Sequence, residues 1–151
     1  MGEILAVCIS EQRGTGKQPV QVGECIKDFG FRGDAHAGDW HRQVSLLATE
    51  SADDLRRKGL IVGPGEFGEN LLTRGVELKS LPIGQRIRVG SSVFLEVTQI
   101  GKESEEHFEA YDAAGQRILT TEGVFARVLK GGFVRAGDSI DLLPGTLADG
   151  E

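Results

Sequence analysis

The densest group of reactive side chains in this sequence lies between Gly33 and Gln43. Glycines in and beside this segment predict a loop, and a loop can bring several side chains to one ligand. The segment holds two carboxylates, two histidines, one arginine and the only tryptophan of the chain: Asp34, His36, Asp39, Trp40, His41 and Arg42.

Metal binding is one interpretation of this loop. Carboxylates and imidazoles are acceptable metal ligands, but the spacing here matches no closed zinc pattern and no cysteine lies nearby. The alternative is a surface loop whose histidines make ordinary hydrogen bonds. Composition favours this alternative over a metal site formed by Asp34, His36, Asp39 and His41, so we predict no metal site.

Among the basic residues, Arg42 is the candidate for binding an anion. Arg42 leads into the largely apolar Val44–Ala48, so its guanidinium would be held at the end of a buried strand, a suitable place to bind an oxyanion. A salt bridge to one of the 23 acidic residues explains Arg42 equally well. Lys17 and Lys102, each considered alone, are typical of solvated surface charges.

The segment Gly65–Thr73 places the Asn70 amide, a hydroxyl and backbone N–H groups at a tight turn that could hold a phosphate or carboxylate oxygen. By itself the pattern is weak, because asparagine near glycine is common in turns. Nucleotide-binding loops are not indicated, since Gly14–Lys17 lacks the first glycine and the context of a phosphate-binding loop.

Short apolar runs between scattered glycines predict a β-rich fold. Gly123–Leu129 is either a strand or a short helix, because brief apolar runs do not distinguish the two. A turn at Gly90–Ser92 should join two strands as a hairpin, and another should span Arg135–Asp138. Strands are predicted at Ile4–Ile9, Val44–Ala48, Gln85–Val89, Val93–Ile100, Phe133–Val134 and Ser139–Leu143.

One helix is predicted at Thr49–Lys58, with Thr49 as its N-cap, basic residues in its last turn and Gly59 beyond its end. Its apolar face is thin, so we expect it on the outside of the fold. Two stretches, Phe31–Arg42 and Gly63–Thr73, are predicted to be irregular and to supply the loops of a site.

The composition is that of one domain of 151 residues, long enough to bury about two-thirds of its unfolded surface. A net charge of −6 argues against general binding of nucleic acids. Two cysteines, Cys8 and Cys25, cannot build an all-cysteine zinc site.

With no signal-peptide pattern and no apolar run of membrane-spanning length, we expect a cytoplasmic protein away from the membrane. Residues 1–143 should form the domain and 144–151 a flexible tail.

An ordered series of segments resembles the MOSC domain, the C-terminal domain of molybdenum-cofactor sulfurases, and in particular its short stand-alone bacterial type. Any one segment would be weak support, but the series in order is specific. The similar segments are Lys17–Val20, Gly33–Gly38, Arg42–Ala48, Phe67–Leu71, Leu81–Gly84, Leu95–Lys102 and Gly123–Leu129.

The resemblance implies a mainly β fold, a closed or nearly closed β-barrel with one or two short peripheral helices. Its loops would line a pocket that, in the family, is thought to handle sulfur for the molybdenum cofactor or to bind molybdopterin, with a cysteine as sulfur carrier. That cysteine would follow Glu103, where this chain has Ser104, and none occurs up to Arg117. A serine cannot form a persulfide, so persulfide transfer through this position is excluded.

The other pocket residues remain. We expect them to bind a small anionic or pterin ligand, without a covalently bound cofactor. The family is also associated with catalytic activity and with pyridoxal phosphate, which would belong to a fused sulfurase domain because no lysine here has a recognisable Schiff-base context. The expected ligand-binding residues are Lys17, Asp34, His36, Arg42, Ser45, Asn70 and Lys102.

Three functions remain open at this point. The favoured one is a module that binds molybdenum cofactor, molybdopterin or a related oxyanion or phosphorylated ligand, and passes it to a molybdoenzyme or cofactor-biosynthesis protein. The second is an enzyme of the same pathway or of detoxifying reduction, with sulfur or electrons from a partner and His36 or Ser104 as acid–base groups. The third is a non-catalytic interaction domain with a vestigial pocket.

Cys8, in an apolar run, is expected to be inert core, and Glu24 should disfavour a thiolate at Cys25.

Overall fold

The structure, a computed structural model, describes residues 2–12, 17–57, 63–65, 68–100 and 123–144, without the side chains of residues 54–56. Within these ranges the chain forms eleven strands, one α-helix and one 3-10 helix at Leu78–Ser80. The strands and the helix are β1 (Gly2–Ile9), β2 (Gln18–Val20), β3 (Gly23–Ile26), β4 (Gly30–Phe31), β5 (Val44–Ala48), α1 (Thr49–Arg57), β6 (Leu71–Arg74), β7 (Arg86–Val89), β8 (Val93–Ile100), β9 (Val124–Lys130), β10 (Gly132–Val134) and β11 (Ser139–Leu142).

Seven of these strands close a barrel in the order β11, β7, β8, β9, β5, β6 and β1, and β1 returns to β11. All neighbours are antiparallel except β5 and β6, which are parallel. The closing register pairs Gly2 with Ile140 and Glu3 with Ser139. Because the ring is closed, none of its strands is left as an unpaired edge along its whole length. β2 pairs with the far end of β1.

Alternation along the strands fills the barrel with branched apolar side chains. In β8, Val93, Leu95 and Val97 are buried, and the residues between them are only partly buried, as expected when side chains alternate across a sheet. β5 is buried at every position, because α1 follows it and packs back against β5 and β6. Ala52 of α1 is fully buried at this contact, and the helix lies on the outside of the barrel.

A second, three-stranded sheet has the order β10, β3, β4. It pairs Cys25 with Phe31 and with Gly132. Cys25, Phe31 and Val134 are buried and belong to the same apolar core as the barrel strands. The small sheet is therefore an extension of the barrel core.

The predicted mainly β fold with a short peripheral helix is confirmed, as are the strand positions and the hairpin between β7 and β8. The ambiguous segment is a strand, β9. Two predictions of irregular structure were too broad, because Phe31 belongs to β4 and Leu71–Thr73 to β6. Pairing of Phe31 with Cys25 and, over a longer range, of Leu71 with Leu46 extends these glycine-rich segments into strands.

The helix is described to Arg57, and its predicted last residues, Lys58 and Gly59, lie outside the described residues, as does most of the predicted tail. In the part of the chain that the structure describes, no helix has the length and apolar character required to cross a membrane.

Candidate functional site

The candidate residues gather at one end of the barrel, where β1 and β8 end and β5, β6 and β9 begin. A single layer of paired residues runs around this end: Val7 with Leu71, Leu71 with Leu46, Leu46 with Val124, and Val124 with Ile100. We call this layer and the residues beyond it the site end. The first four side chains of the layer are fully buried and give the site end an apolar base.

Lys17 is the central cation of the site end. Its Nζ atom lies 2.8 Å from Oδ1 of Asp34 and 3.0 Å from Nδ1 of His36. The Lys17 side chain is 1% exposed and that of Asp34 is 0% exposed. A buried ammonium and a buried carboxylate are tolerated together because each offsets the charge of the other.

Asp34 also accepts hydrogen bonds from two backbone N–H groups. Ser10, just after β1, donates to Oδ1 at 3.0 Å, and His36 donates to Oδ2 at 3.2 Å. With Nζ of Lys17, these two groups give the carboxylate three donors. Asp34 thereby fixes the loop carrying His36 to the end of β1 and to Lys17.

The interpretation of Lys17 as a solvated surface charge is wrong. Asp34, on a different loop, pairs with Lys17 and so allows the lysine to be buried. No pattern near Lys17 in the sequence reveals this partner, which lies 17 residues further along the chain. The predicted grouping of Lys17, Asp34 and His36 in one site agrees with the contacts between them.

Gly65 and Glu69 cover Lys17 from the backbone side. The backbone N–H of Lys17 donates to the Gly65 carbonyl at 2.7 Å, and the Gly65 N–H donates to Oε2 of Glu69 at 2.7 Å. Glu69 is 0% exposed. Sequence reasoning did not select Glu69; its only signal was its place beside Asn70 in a segment already assigned to the site.

Ser45 and Asn70 form a second buried group at the site end. The Asn70 side chain donates from Nδ2 to the Cys8 carbonyl at 3.0 Å, and its Oδ1 accepts from the Ser45 backbone N–H at 2.9 Å. The Ser45 hydroxyl accepts from the Asn70 backbone N–H at 3.0 Å. These bonds join β1, β5 and the start of β6. The assignment of both residues to ligand binding stays a prediction.

Arg42 lies just before β5, half-buried between aromatic rings. Its guanidinium carbon is 5.7 Å from the centre of the Trp40 ring and 5.5 Å from that of Phe125. Its Nε donates to Oε1 of Gln99 at 3.0 Å. Distances below about 6 Å over a ring face allow cation–π attraction. The guanidinium is thus held from three sides.

Trp40 links Arg42 to the group formed by Lys17, Asp34 and His36, because the Nε1–H of Trp40 donates to the carbonyl of His36 at 2.8 Å. The structure therefore brings five of the seven predicted ligand-binding residues into two hydrogen-bonded groups and connects Arg42 to one of them through Trp40. Lys102 and the catalytic candidate Ser104 lie outside the described residues. The strands before and after residues 101–122 end and begin at the site end.

Both cysteines are buried thiols. The pKa of Cys8 is raised from 9.0 to about 12, chiefly by burial and also by the charge of Glu69, while Lys17 partly opposes the shift. The pKa of Cys25 is likewise raised from 9.0 to about 12, chiefly by burial and also by the charge of Glu24. Cys8 is buried, as its apolar run predicted, and its inertness stays a prediction. Glu24 raises the pKa of Cys25 as predicted, although burial is the larger cause.

The acidic and histidine side chains do not converge on a metal position. No group of three or more metal-ligating side chains occurs among the described residues. Nδ1 of His36 contacts Lys17, and Nε2 of His41 lies 2.9 Å from Oε1 of Gln99. The two imidazoles therefore contact different residues, His36 a lysine and His41 a glutamine.

Two surface clefts lie on the described part of the barrel. One, of about 540 Å³, flanks residues 39–43 and is lined by three carboxylates, Asp28, Asp39 and Glu96, against one guanidinium, Arg127, a balance that disfavours an anion. The other, of about 530 Å³, lies beside the start of α1 and the 3-10 helix, at the opposite end of the barrel. Neither cleft is lined by Lys17, His36 or the Arg42 side chain.

Comparisons with known proteins agree with the resemblance drawn from the sequence. The MOSC domain family matches residues 33–141. YuaD from Bacillus subtilis superposes with a TM-score of 0.71 at 21% identity, covering 93% of this chain and 94% of that protein. YiiM from Geobacillus stearothermophilus gives 0.69 at 18% identity, with 97% and 77% covered. YiiM from Escherichia coli gives 0.63 at 24% identity, with 93% and 69% covered. The comparison with curated proteins gave no significant match.

Proposed function

Because the chain belongs to the MOSC domain family, we propose that its site end binds the molybdenum cofactor, molybdopterin or a related oxyanion or phosphorylated ligand. The domain then acts as a binding module, and not as a cysteine-based sulfur carrier. A molybdoenzyme or a protein of cofactor biosynthesis would receive the ligand.

The position of Arg42 carries this proposal. Gln99 binds its Nε, and the rings of Trp40 and Phe125 restrict its guanidinium. A guanidinium restricted in this way loses little side-chain entropy when it binds, and its planar donors match the oxygens of a phosphate or molybdate. The nearby Asp34 does not repel an anion strongly, because Lys17 offsets its charge.

The state of the thiols supports binding without sulfur transfer. The chain has two cysteines, and their side chains are 0% and 2% exposed. Only a thiolate attacks sulfur efficiently, and a pKa of about 12 leaves almost none at neutral pH. Ser104, at the position where the family's carrier cysteine is expected, cannot replace them.

The residues fit the phosphate-bearing part of the cofactor. Arg42 would hold a phosphate or oxo group by paired N–H donors, and His36 would add a donor from the neighbouring loop. The bound cofactor would supply the redox chemistry of molybdenum, while this chain binds, orients and shields it. The donors described here come from side chains that are already fixed by hydrogen bonds.

Thermal unfolding with added ligand tests the proposal. The domain is titrated with molybdate, sulfate, pyridoxal phosphate and a molybdopterin-containing extract, and the titration is repeated on Arg42→Ala and on Arg88→Ala. Arg88 is an exposed arginine of β7 that pairs with Asp141 across the surface, so it is a matched control. A ligand at about 100 times its Kd should add about 2.7 kcal/mol of stability.

We expect molybdate or molybdopterin to stabilise the native chain and the Arg88 variant, and to leave Arg42→Ala unshifted. Stabilisation by no ligand would contradict the proposal and favour a vestigial pocket. If Arg42→Ala fails to fold, Arg42→Lys retains the charge without the paired donors. An undiminished shift in that variant would remove the specific role given to the guanidinium.

A further inference from the structure

We propose that Lys17 is a positioning residue that fixes His36 as a neutral imidazole with its proton on Nε2. His36 then offers an N–H donor to a ligand oxygen and does not act as a general base. The tautomer follows from the contacts of Lys17. The use of the donor rests on the proposed function.

The first step concerns the direction of one hydrogen bond. Nζ of Lys17 lies 3.0 Å from Nδ1 of His36. An ammonium has only N–H donors and no lone pair, so it can bond to Nδ1 only if Nδ1 is unprotonated. A neutral imidazole carries one proton, and that proton is therefore on Nε2.

The second step concerns which of the two groups holds the shared proton. An alkyl amine holds a proton more tightly than an imidazole by about four pKa units in water. The Asp34 carboxylate lies 2.8 Å from Nζ of Lys17, where it forms an ion pair with an ammonium, whereas it contacts His36 only through the backbone N–H. A proton on Nδ1 of the neutral ring would place two N–H donors against each other, and an imidazolium beside the ammonium would place two cations at hydrogen-bond distance.

The third step concerns the orientation of the ring. The backbone of His36 is fixed on both sides, by its N–H on Asp34 and by its carbonyl, which accepts from Trp40. Lys17 then fixes one edge of the ring through Nδ1. With the backbone and one ring nitrogen held, the direction of the Nε2–H bond is set before a ligand arrives.

The chemical consequence is a preference for acceptor atoms. An Nε2–H group binds an oxyanion or carbonyl oxygen and rejects a ligand N–H or ammonium at the same position. For His36 to take up a proton it would have to give up its bond to Lys17. The alternative of His36 as a general base in a pathway enzyme is thereby disfavoured.

Nitrogen-15 NMR on the ligand-free, uniformly labelled protein tests the tautomer directly. Long-range proton–nitrogen correlation distinguishes a protonated ring nitrogen from an unprotonated one. The three histidines of the chain are told apart by the signals lost in His36→Gln. We expect unprotonated Nδ1 and protonated Nε2 in His36 at neutral pH. Protonated Nδ1, alone or together with Nε2, would overturn the proposal.

A double variant tests the role of Lys17. Lys17→Met combined with Asp34→Asn removes both buried charges together, which avoids leaving one of them without a partner. We expect the His36 signals to move towards those of a mixture of tautomers. An unchanged His36 spectrum in the folded variant would show that Lys17 does not set the tautomer. If the variant does not fold, the wild-type spectrum still decides the proton position.

Molybdate binding then tests the donor. His36→Ala should lower the affinity about 10-fold or more, and His36→Gln, which keeps an N–H near the position of Nε2, should restore most of it. Equal losses in both variants would contradict the donor role. If wild-type protein binds no molybdate while its NMR shows the expected tautomer, the proposed function fails and the role of Lys17 stands.

Discussion

The backbone N–H of Lys17 donates to the carbonyl oxygen of Gly65 at 2.7 Å, so the residue that centres the site end is held by main chain as well as by side chain. Gly65 has a φ of +85° and lies so close that a β-carbon on it would overlap the Lys17 carbonyl. The contact requires a residue with no side chain, in a left-handed conformation that glycine adopts readily.

Replacing Gly65 by alanine should therefore destabilise the domain. The matched control is Gly137→Ala, because Gly137 has a similar φ of +96° but open space around its α-carbon. The control should lose about 1 kcal/mol from backbone strain alone, and Gly65→Ala should lose about 3 kcal/mol or more. Urea unfolding measures both. Equal losses would mean that the close approach to Lys17 has no energetic weight.

Loss of the Asn70 side chain should also lower the free energy of unfolding. Asn70→Ala leaves the Cys8 carbonyl and the Ser45 backbone N–H without their side-chain partner inside the barrel wall, at an expected cost of about 3 kcal/mol. Ser45→Ala removes only a hydroxyl and should cost about 1 kcal/mol. The double variant should lose less than the sum, since the two side chains contact each other. A fully additive result would contradict this coupling.

The thiols should be unreactive in the folded protein. A pKa of about 12 for Cys8 and Cys25, together with burial, leaves neither thiolate nor access for a disulfide reagent at pH 8. Modification should proceed only at the rate of unfolding and reach two thiols in urea. Rapid labelling of one thiol without denaturant would show that a cysteine is available for sulfur chemistry, against the binding-module proposal.

Stability should fall at alkaline pH. The folded chain holds each thiol proton up to a pKa of about 12, whereas the ordinary value is 9.0, so the unfolded chain binds fewer protons above pH 9. The contribution of the thiols is fully present below pH 9 and is lost between about pH 9 and 12. Urea unfolding at pH 7.5 and pH 10 measures the loss. Cys25→Ala should flatten this dependence, and an unchanged slope would argue against the raised pKa.

Much of the barrel was predictable because local signals and final structure agree. Val93–Ile100 is rich in β-branched and aromatic residues and is a strand with those bounds, and the turn at Gly90–Ser92 joins it to β7. The missed strands depend on pairing and burial that their own short segments do not signal. β3 and β4 are short, and they form because Cys25 and Phe31 pair and bury together against the core.

The sequence predicted which residues belong to the candidate site better than it predicted how those residues contact one another. The loop from Gly33 to Arg42 and the turn that holds Asn70 indicated polar sites by composition, and the resemblance supplied Lys17. The burial of Lys17 depends on Asp34, and the restraint on Arg42 depends on Gln99 and Phe125, which come from other strands. Such pairings are decided by closure of the barrel, which a local sequence pattern does not encode.

Closure of the barrel also affects the rate at which the chain folds. Gly2 pairs with Ile140, so the first strand and the last strand of the described chain are neighbours in the barrel wall. During synthesis β1 can meet β6 early, but the ring cannot close until β11 has left the ribosome. Joining segments this far apart in sequence has a high entropic cost and slows folding. The apolar surface of an incomplete barrel is exposed for that interval, when aggregation is most favourable.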